Sequence, residues 1–177
     1  MGLRLILTAA LCTTGCTDRE PSSAAEPVVR FERSAKDEVK HGARLALVLG
    51  CVGCHGAALK GEDWSEPGFG RLWTANLTRS LEQNGEQAFI SLIRTGRRPD
   101  RPLWEMPSHL FTQLAADDLA GLLAYVRSMP AQGRVHPQPD FERSVRREVT
   151  EGTYASSPSR SDPSERPGRR MLANLTG

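Results

Sequence analysis

CVGCHG, residues 51 to 56, constrains this chain more than any other stretch. Two thiols flank two small residues, and an imidazole follows at once. That set of side chains suits holding a group better than packing a core, and three groups are open. A redox dithiol uses C-x-x-C, usually at the end of a strand in a βαβ unit. A structural zinc needs four ligands, commonly two cysteine pairs. C-x-x-C-H is also the attachment sequence for c-type haem.

The rest of the chain weighs these readings. The segment before Cys51 reads as a helix, and no segment alternates as a strand should, which argues against the dithiol. The other two cysteines, Cys12 and Cys16, sit together near the N-terminus. A zinc site would therefore need His41 or His109 as its fourth ligand. The haem reading asks for less. Each thiol S–H adds across one vinyl group to give a thioether, and the adjacent His55 reaches the iron.

Attachment of that kind takes place after export, and the N-terminus reads as an export signal. Arg4 precedes a short apolar run from Leu5 to Leu11. A membrane span needs about 20 apolar residues, so the run is too short to cross. Gly15-Cys16 resembles a bacterial lipoprotein cleavage site, after which Cys16 would carry lipid and hold the protein at the membrane. Thr13 departs from that motif, where a branched aliphatic is usual, and a plain secretory signal cut before Pro21 is the alternative. Both place the mature protein in the periplasm. The formal net charge of +2 gives no reason to expect a nucleic-acid partner.

Residues 38 to 49 read as a helix with a small-residue face at Gly42, Ala43 and Ala46, and an apolar one at Leu45, Val48 and Leu49. His41 on it is expected to face solvent. A second helix spans 85 to 96, stopped by Gly96. A third spans 117 to 130, with Leu119, Leu122, Leu123 and Val126 at helical spacing and Pro130 as its stop. Asp117 and Asp118 sit at its positive end. The expected fold class is all-α, with short helices and long loops at 50–84 and 97–113. Loops that long are normally functional or held by something else, and a large cofactor would hold them. The domain map is a signal at 1–15, a flexible tether at 16–33, one helical domain at 34–131 and a mostly disordered tail at 132–177. FERSAKDEVKHG, from Phe31, recurs as FERSVRREVTEG, from Phe141. That echo is the start of a second domain or a coincidence between amphipathic segments.

An iron held by His55 needs a second axial ligand or an open site. Met106, Met129, His41, His109 and His136 are available. Met129 ends a helix, where packing accounts for it, and His136 reads as a loop residue among prolines. Met106, in LWEMPSHL, is the favoured ligand because Pro107 stiffens the loop that presents it. His109 comes next. Axial ligands move haem potential over about 0.8 V, and a thioether raises it.

Taken together these elements resemble class I cytochromes c, especially the haem domains of cytochrome subunits in bacterial dehydrogenases. The resemblance runs from about Val39 to Met129 and includes G-x-x-L-A at Gly42, CVGCHG, NLT at Asn76, RTGRRPD at Arg94, EMP at Glu105 and DDLAGLLAYVRSMP at Asp117. It implies a monohaem electron carrier, not an enzyme. Cys51 and Cys54 would hold one haem c covalently, with His55 and Met106 on the iron and a dehydrogenase or a terminal oxidase or reductase as redox partner. It also implies that the first helix crosses the last, with Gly42 facing Leu122 and Tyr125. Arg44 stands where relatives often have an aromatic, and Ala115 where they often have a serine cap. A peroxidase-like haem enzyme, or a haem sensor or accessory subunit with a labile distal ligand, is the alternative. Arg94, Arg97, Arg98 and Arg101 form either a solvated basic face or a contact for haem propionates or an acidic partner. Trp73 and Trp104 either wall the cofactor or fill core. Asn76 is formally a glycosylation sequon, a poor reading for a bacterial-type exported protein.

Overall fold

The computed structural model describes residues 27–33 and 36–161. The export signal, Cys12, Cys16 and most of the tether lie outside the described residues, as does the tail beyond residue 161. The described part is mostly helical: α1 Glu38–Val48, α2 Cys51–His55, α3 Leu77–Thr95, α4 Ala116–Ser128, α5 Arg143–Glu151 and α6 Ser157–Ser161, joined by long loops. Two residue pairs form a minimal antiparallel ribbon, β1 Gly70–Arg71 with β2 Asp140–Phe141. No helix among the described residues is long and apolar enough to cross a membrane.

The helices begin and stop for local reasons. The Asp37 side chain caps α1 by accepting from the Lys40 amide at 3.0 Å. Gly50, at φ 80°, turns the chain from α1 directly into α2. Asn76 caps α3 through Arg79 N, so the NLT stretch marks a helix start. Gly85, at φ 77°, kinks that helix, and Gly96 closes it in the left-handed conformation. Ala115 begins α4 with no side-chain cap.

The core is the crossing of α1 with α4. Leu45, Ala46, Leu114, Leu119 and Leu122 form one buried cluster, and Leu59, Phe89, Leu123 and Val126 a second beside it. Burying each of the larger aliphatics is worth roughly 1.5–3 kcal/mol. The backbones meet at Gly42, where an added Cβ would lie 1.8 Å from Gly121 O and 2.8 Å from Tyr125 Cβ. Gly42 thus meets Tyr125, as expected, and Gly121 in place of its neighbour Leu122.

His41 departs from expectation. It is wholly buried at the crossing, not solvent-facing, and its Nε2–H donates to Asp118 Oδ1 at 2.8 Å. Asp118 Oδ2 accepts from Phe31 N at 2.9 Å. A polar side chain beside the close-approach glycine has nowhere to point but into α4, and Asp118 satisfies it there. Asp117 pairs with Arg30 at 2.6 Å, so both acids of α4 have definite partners besides the helix dipole.

The C-terminal segment also departs from expectation. Residues 140–161 carry β2, α5 and α6 where a disordered tail was expected. Phe141, Val145 and Ser157 are buried. The FERS echo folds differently in its two places. Gly42 lies mid-helix in α1, whereas its counterpart Gly152 is the left-handed stop of α5. Among the described residues the second copy begins no second domain.

Candidate functional site

The single turn of α2 puts Cys51, Cys54 and His55 on one face, since positions i, i+3 and i+4 are neighbours on a helix. Both cysteines are free and half-buried. Burial pushes the Cys51 thiol up to about 11, far from the depressed values of reactive redox thiolates. His55 is buried, and its Nδ1–H donates to Ala75 O at 2.8 Å. That bond sets the tautomer, so Nε2 carries the lone pair. Burial lowers the imidazole's pKa, only partly offset by the Ala75 bond, and keeps it neutral as a metal ligand requires.

The segment that presents Ala75 is itself pinned. Thr74 Oγ1 accepts from Glu62 N at 2.7 Å, and Leu77 N donates to Leu59 O at 2.8 Å. The histidine is therefore oriented by backbone fixed at both ends.

These three side chains open onto a cavity of about 400 Å³. The size lies within the ~300–1,000 Å³ of small-molecule and cofactor sites. Its walls are mainly apolar, with Leu72, Phe89, Phe111, Leu122 and Val126 from four parts of the fold. Trp73 and Trp104 both belong to the wall. Met106 lies in the wall as well, on the loop between α3 and α4. His109 is exposed and outside it, Met129 packs against the second core cluster, and His41 is committed to Asp118.

The arginine cluster divides. Arg98 and Arg101 line the cavity and both pair with Asp100, at 3.5 and 3.1 Å. Arg94 instead donates to Leu114 O at 2.9 Å, a structural bond, and Arg97 is exposed. The mainly apolar cavity thus carries two guanidinium groups, each already paired with Asp100, of a kind that can also meet carboxylates of a bound group.

Further residues take places around the cavity that the sequence did not assign them. His136 is part of the wall. Its Nε2–H donates to Lys60 O at 2.9 Å, while Nδ1 is buried without a partner. Gly61 makes room for it, since a Cβ there would lie 2.9 Å from the imidazole. Asn76 donates to Gln132 O and Arg134 O, at 2.8 and 3.1 Å, tying the same segment to the loop behind His55. Glu105, just before Met106, sits at φ 60°, a left-handed conformation that costs a non-glycine residue of order 1–3 kcal/mol. Tyr154 donates its hydroxyl to Glu105 Oε1. Burial first, then that carboxylate, raise the phenol's pKa, so it stays a donor.

The residues present fit a c-type haem on this structure's own terms. The two thiols and the neutral imidazole share one face, a thioether lies in the wall, the cavity is apolar, and its polar edge is basic. No group of three or more His, Cys, Asp or Glu side chains that could hold a metal ion occurs among the described residues. Comparison with protein-family models finds no match for the chain, and a search of curated proteins also returns none.

Proposed function

We infer that this protein is a monohaem c-type cytochrome that carries single electrons between redox partners in the periplasm. The observation that carries the reading is the meeting of Cys51, Cys54 and His55 with Met106 around one apolar cavity. Haem c, when bound, would supply the one-electron couple between ferric and ferrous iron. Cys51 and Cys54 would hold it covalently, and His55 would present Nε2 because Ala75 occupies Nδ1. Met106 would bring a soft thioether, which favours the ferrous state and raises the potential. The apolar wall would exclude water, and Arg98 and Arg101, each paired with Asp100, would meet carboxylates of the group at the edge. Ligation by both His55 and Met106 would leave no open position for oxygen or peroxide, which supports a carrier over a haem enzyme.

Export and a lipid anchor at Cys16 belong to the same reading and rest on the N-terminal sequence. A dehydrogenase on one side and a terminal oxidase or reductase on the other would be its partners. Mass spectrometry of protein made with a haem-attachment system should show one haem joined through Cys51 and Cys54. Met106→Ala should lose the methionine–iron charge-transfer band and lower the potential by on the order of 0.1 V. His136→Ala should keep the band. Retention in Met106→Ala would remove Met106 as ligand, and ready binding of carbon monoxide by the reduced wild type would favour the enzyme or sensor reading.

A further inference from the structure

We propose that the C-terminal segment 132–161 is a clamp on the distal side of the cavity, in which Tyr154 positions Met106 through Glu105. This rests on the reading of Met106 as an iron ligand.

Three consecutive residues before Met106 are each held by this segment. Leu103 O accepts from Ser157 N at 3.0 Å. The Trp104 ring lies parallel to that of Tyr154, with centroids 5.5 Å apart and planes 5° apart. The Glu105 carboxylate accepts from the Tyr154 hydroxyl. Glu105 has the left-handed backbone that turns the chain just before the thioether. A strained conformation persists only where its surroundings over-determine it, and the contacts from 154 and 157 do so here.

The clamp has a fixed base. His136 bonds to Lys60 O at 2.9 Å and Asn76 to Gln132 O at 2.8 Å, both on the loop that follows His55. Further along, Gly70 and Arg71 pair with Phe141 and Asp140, and the Arg71–Asp140 ion pair measures 2.7 Å. Phe141 packs edge-on against Trp104, with centroids 5.2 Å apart. One continuous stretch of chain therefore runs from behind the proximal histidine to the loop in front of the distal methionine. Ordinary tails fold without reference to a site. This one touches the two loops whose separation determines whether both axial ligands reach one iron. Loosening it should populate a state with Met106 away from the iron and its position open.

Tyr154→Phe keeps the ring and its stack but removes the hydroxyl. The test is titration of the ferric holoprotein with imidazole, followed in the visible spectrum, with amide hydrogen exchange across residues 103–108 as a second measurement. Tyr154→Phe and Glu105→Ala should each bind imidazole about three- to tenfold more tightly, the worth of one side-chain hydrogen bond, and exchange faster in that loop. Glu105→Gln retains an acceptor oxygen and should return both readings close to wild type. Wild-type imidazole affinity and exchange in both Tyr154→Phe and Glu105→Ala would overturn the clamp. A wild type without covalent haem, or without the methionine–iron band, would instead defeat the ligand reading. The clamp would then be judged by exchange alone: faster in Tyr154→Phe supports it, and unchanged overturns it.

Discussion

Gly42→Ala should destabilise the protein by about 3 kcal/mol or more, although the same change in an exposed helix would stabilise it by roughly 1 kcal/mol. The alanine methyl would meet α4 backbone, at 1.8 Å from Gly121 O and 2.5 Å from Gly121 C. Backbone cannot rotate away as a side chain can, so the two helices must part. Separating them loosens Leu45 and Ala46 from Leu119 and Leu122, the buried cluster at the crossing. Gly121→Ala is the internal control, since its Cβ would come no closer than 3.0 Å to His41 Cδ2 and 3.5 Å to backbone. It should cost about 1 kcal/mol. Thermal denaturation followed by circular dichroism should show Gly42→Ala melting roughly 10 °C lower and Gly121→Ala only a few degrees lower. A Gly42→Ala protein that melts at or above wild type would show that the helices do not touch there. Because only Leu49 and Gly50 separate α1 from the Cys51–His55 turn, Gly42→Ala should also, on the proposed haem reading, reduce the fraction of chains that acquire haem.

What was legible followed from local physics. The crossing helices announce themselves by apolar residues three and four apart, and Gly96 and Pro130 mark two stops. The site's thiols and imidazole are contiguous in the chain, so their grouping needs no tertiary information. Met106 stood out only through the haem context of CVGCHG, since a loop methionine by itself is usually packing. Illegible features depend on partners far away. His41 reads as surface because its partner Asp118 is 77 residues distant. The first half of α3, LTRSLEQN, offers only Leu77 and Leu81 as apolar marks before Gly85 breaks the period. Residues 132–161 are polar enough to read as disorder, yet Phe141 and Tyr154 supply the aromatic anchors that disordered segments lack. Those two rings were the available signal that the segment folds. Nothing local to His136 or Tyr154 indicates that one bonds to the loop after His55 and the other to Glu105, just before Met106.

Asp118→Ala should cost about 3–5 kcal/mol, a large share of the 5–15 kcal/mol by which ordinary domains are stable. The side chain is 1% exposed and accepts two hydrogen bonds that no other group can replace. Alanine would strand His41 Nε2 inside the crossing and leave Phe31 N, in the segment over α4, without its acceptor. His41 Nδ1 already lacks a partner, so the imidazole would lose its one bond to the protein. Asp118→Asn keeps one acceptor oxygen and should cost less, about 1–3 kcal/mol, because it can serve only one of the two donors. The pair is best isolated by a double-mutant cycle on His41→Ala and Asp118→Ala in urea denaturation. Two groups that satisfy each other should show a coupling of about 2 kcal/mol, with the double variant hardly worse than Asp118→Ala alone. Additive costs would mean that the two side chains act separately, and that the crossing is held by its glycines and leucines alone. The outcome bears on the site through α4, because Leu122 and Val126 on that helix form part of the cavity wall. A crossing that slips would move them away from the face of Cys51, Cys54 and His55.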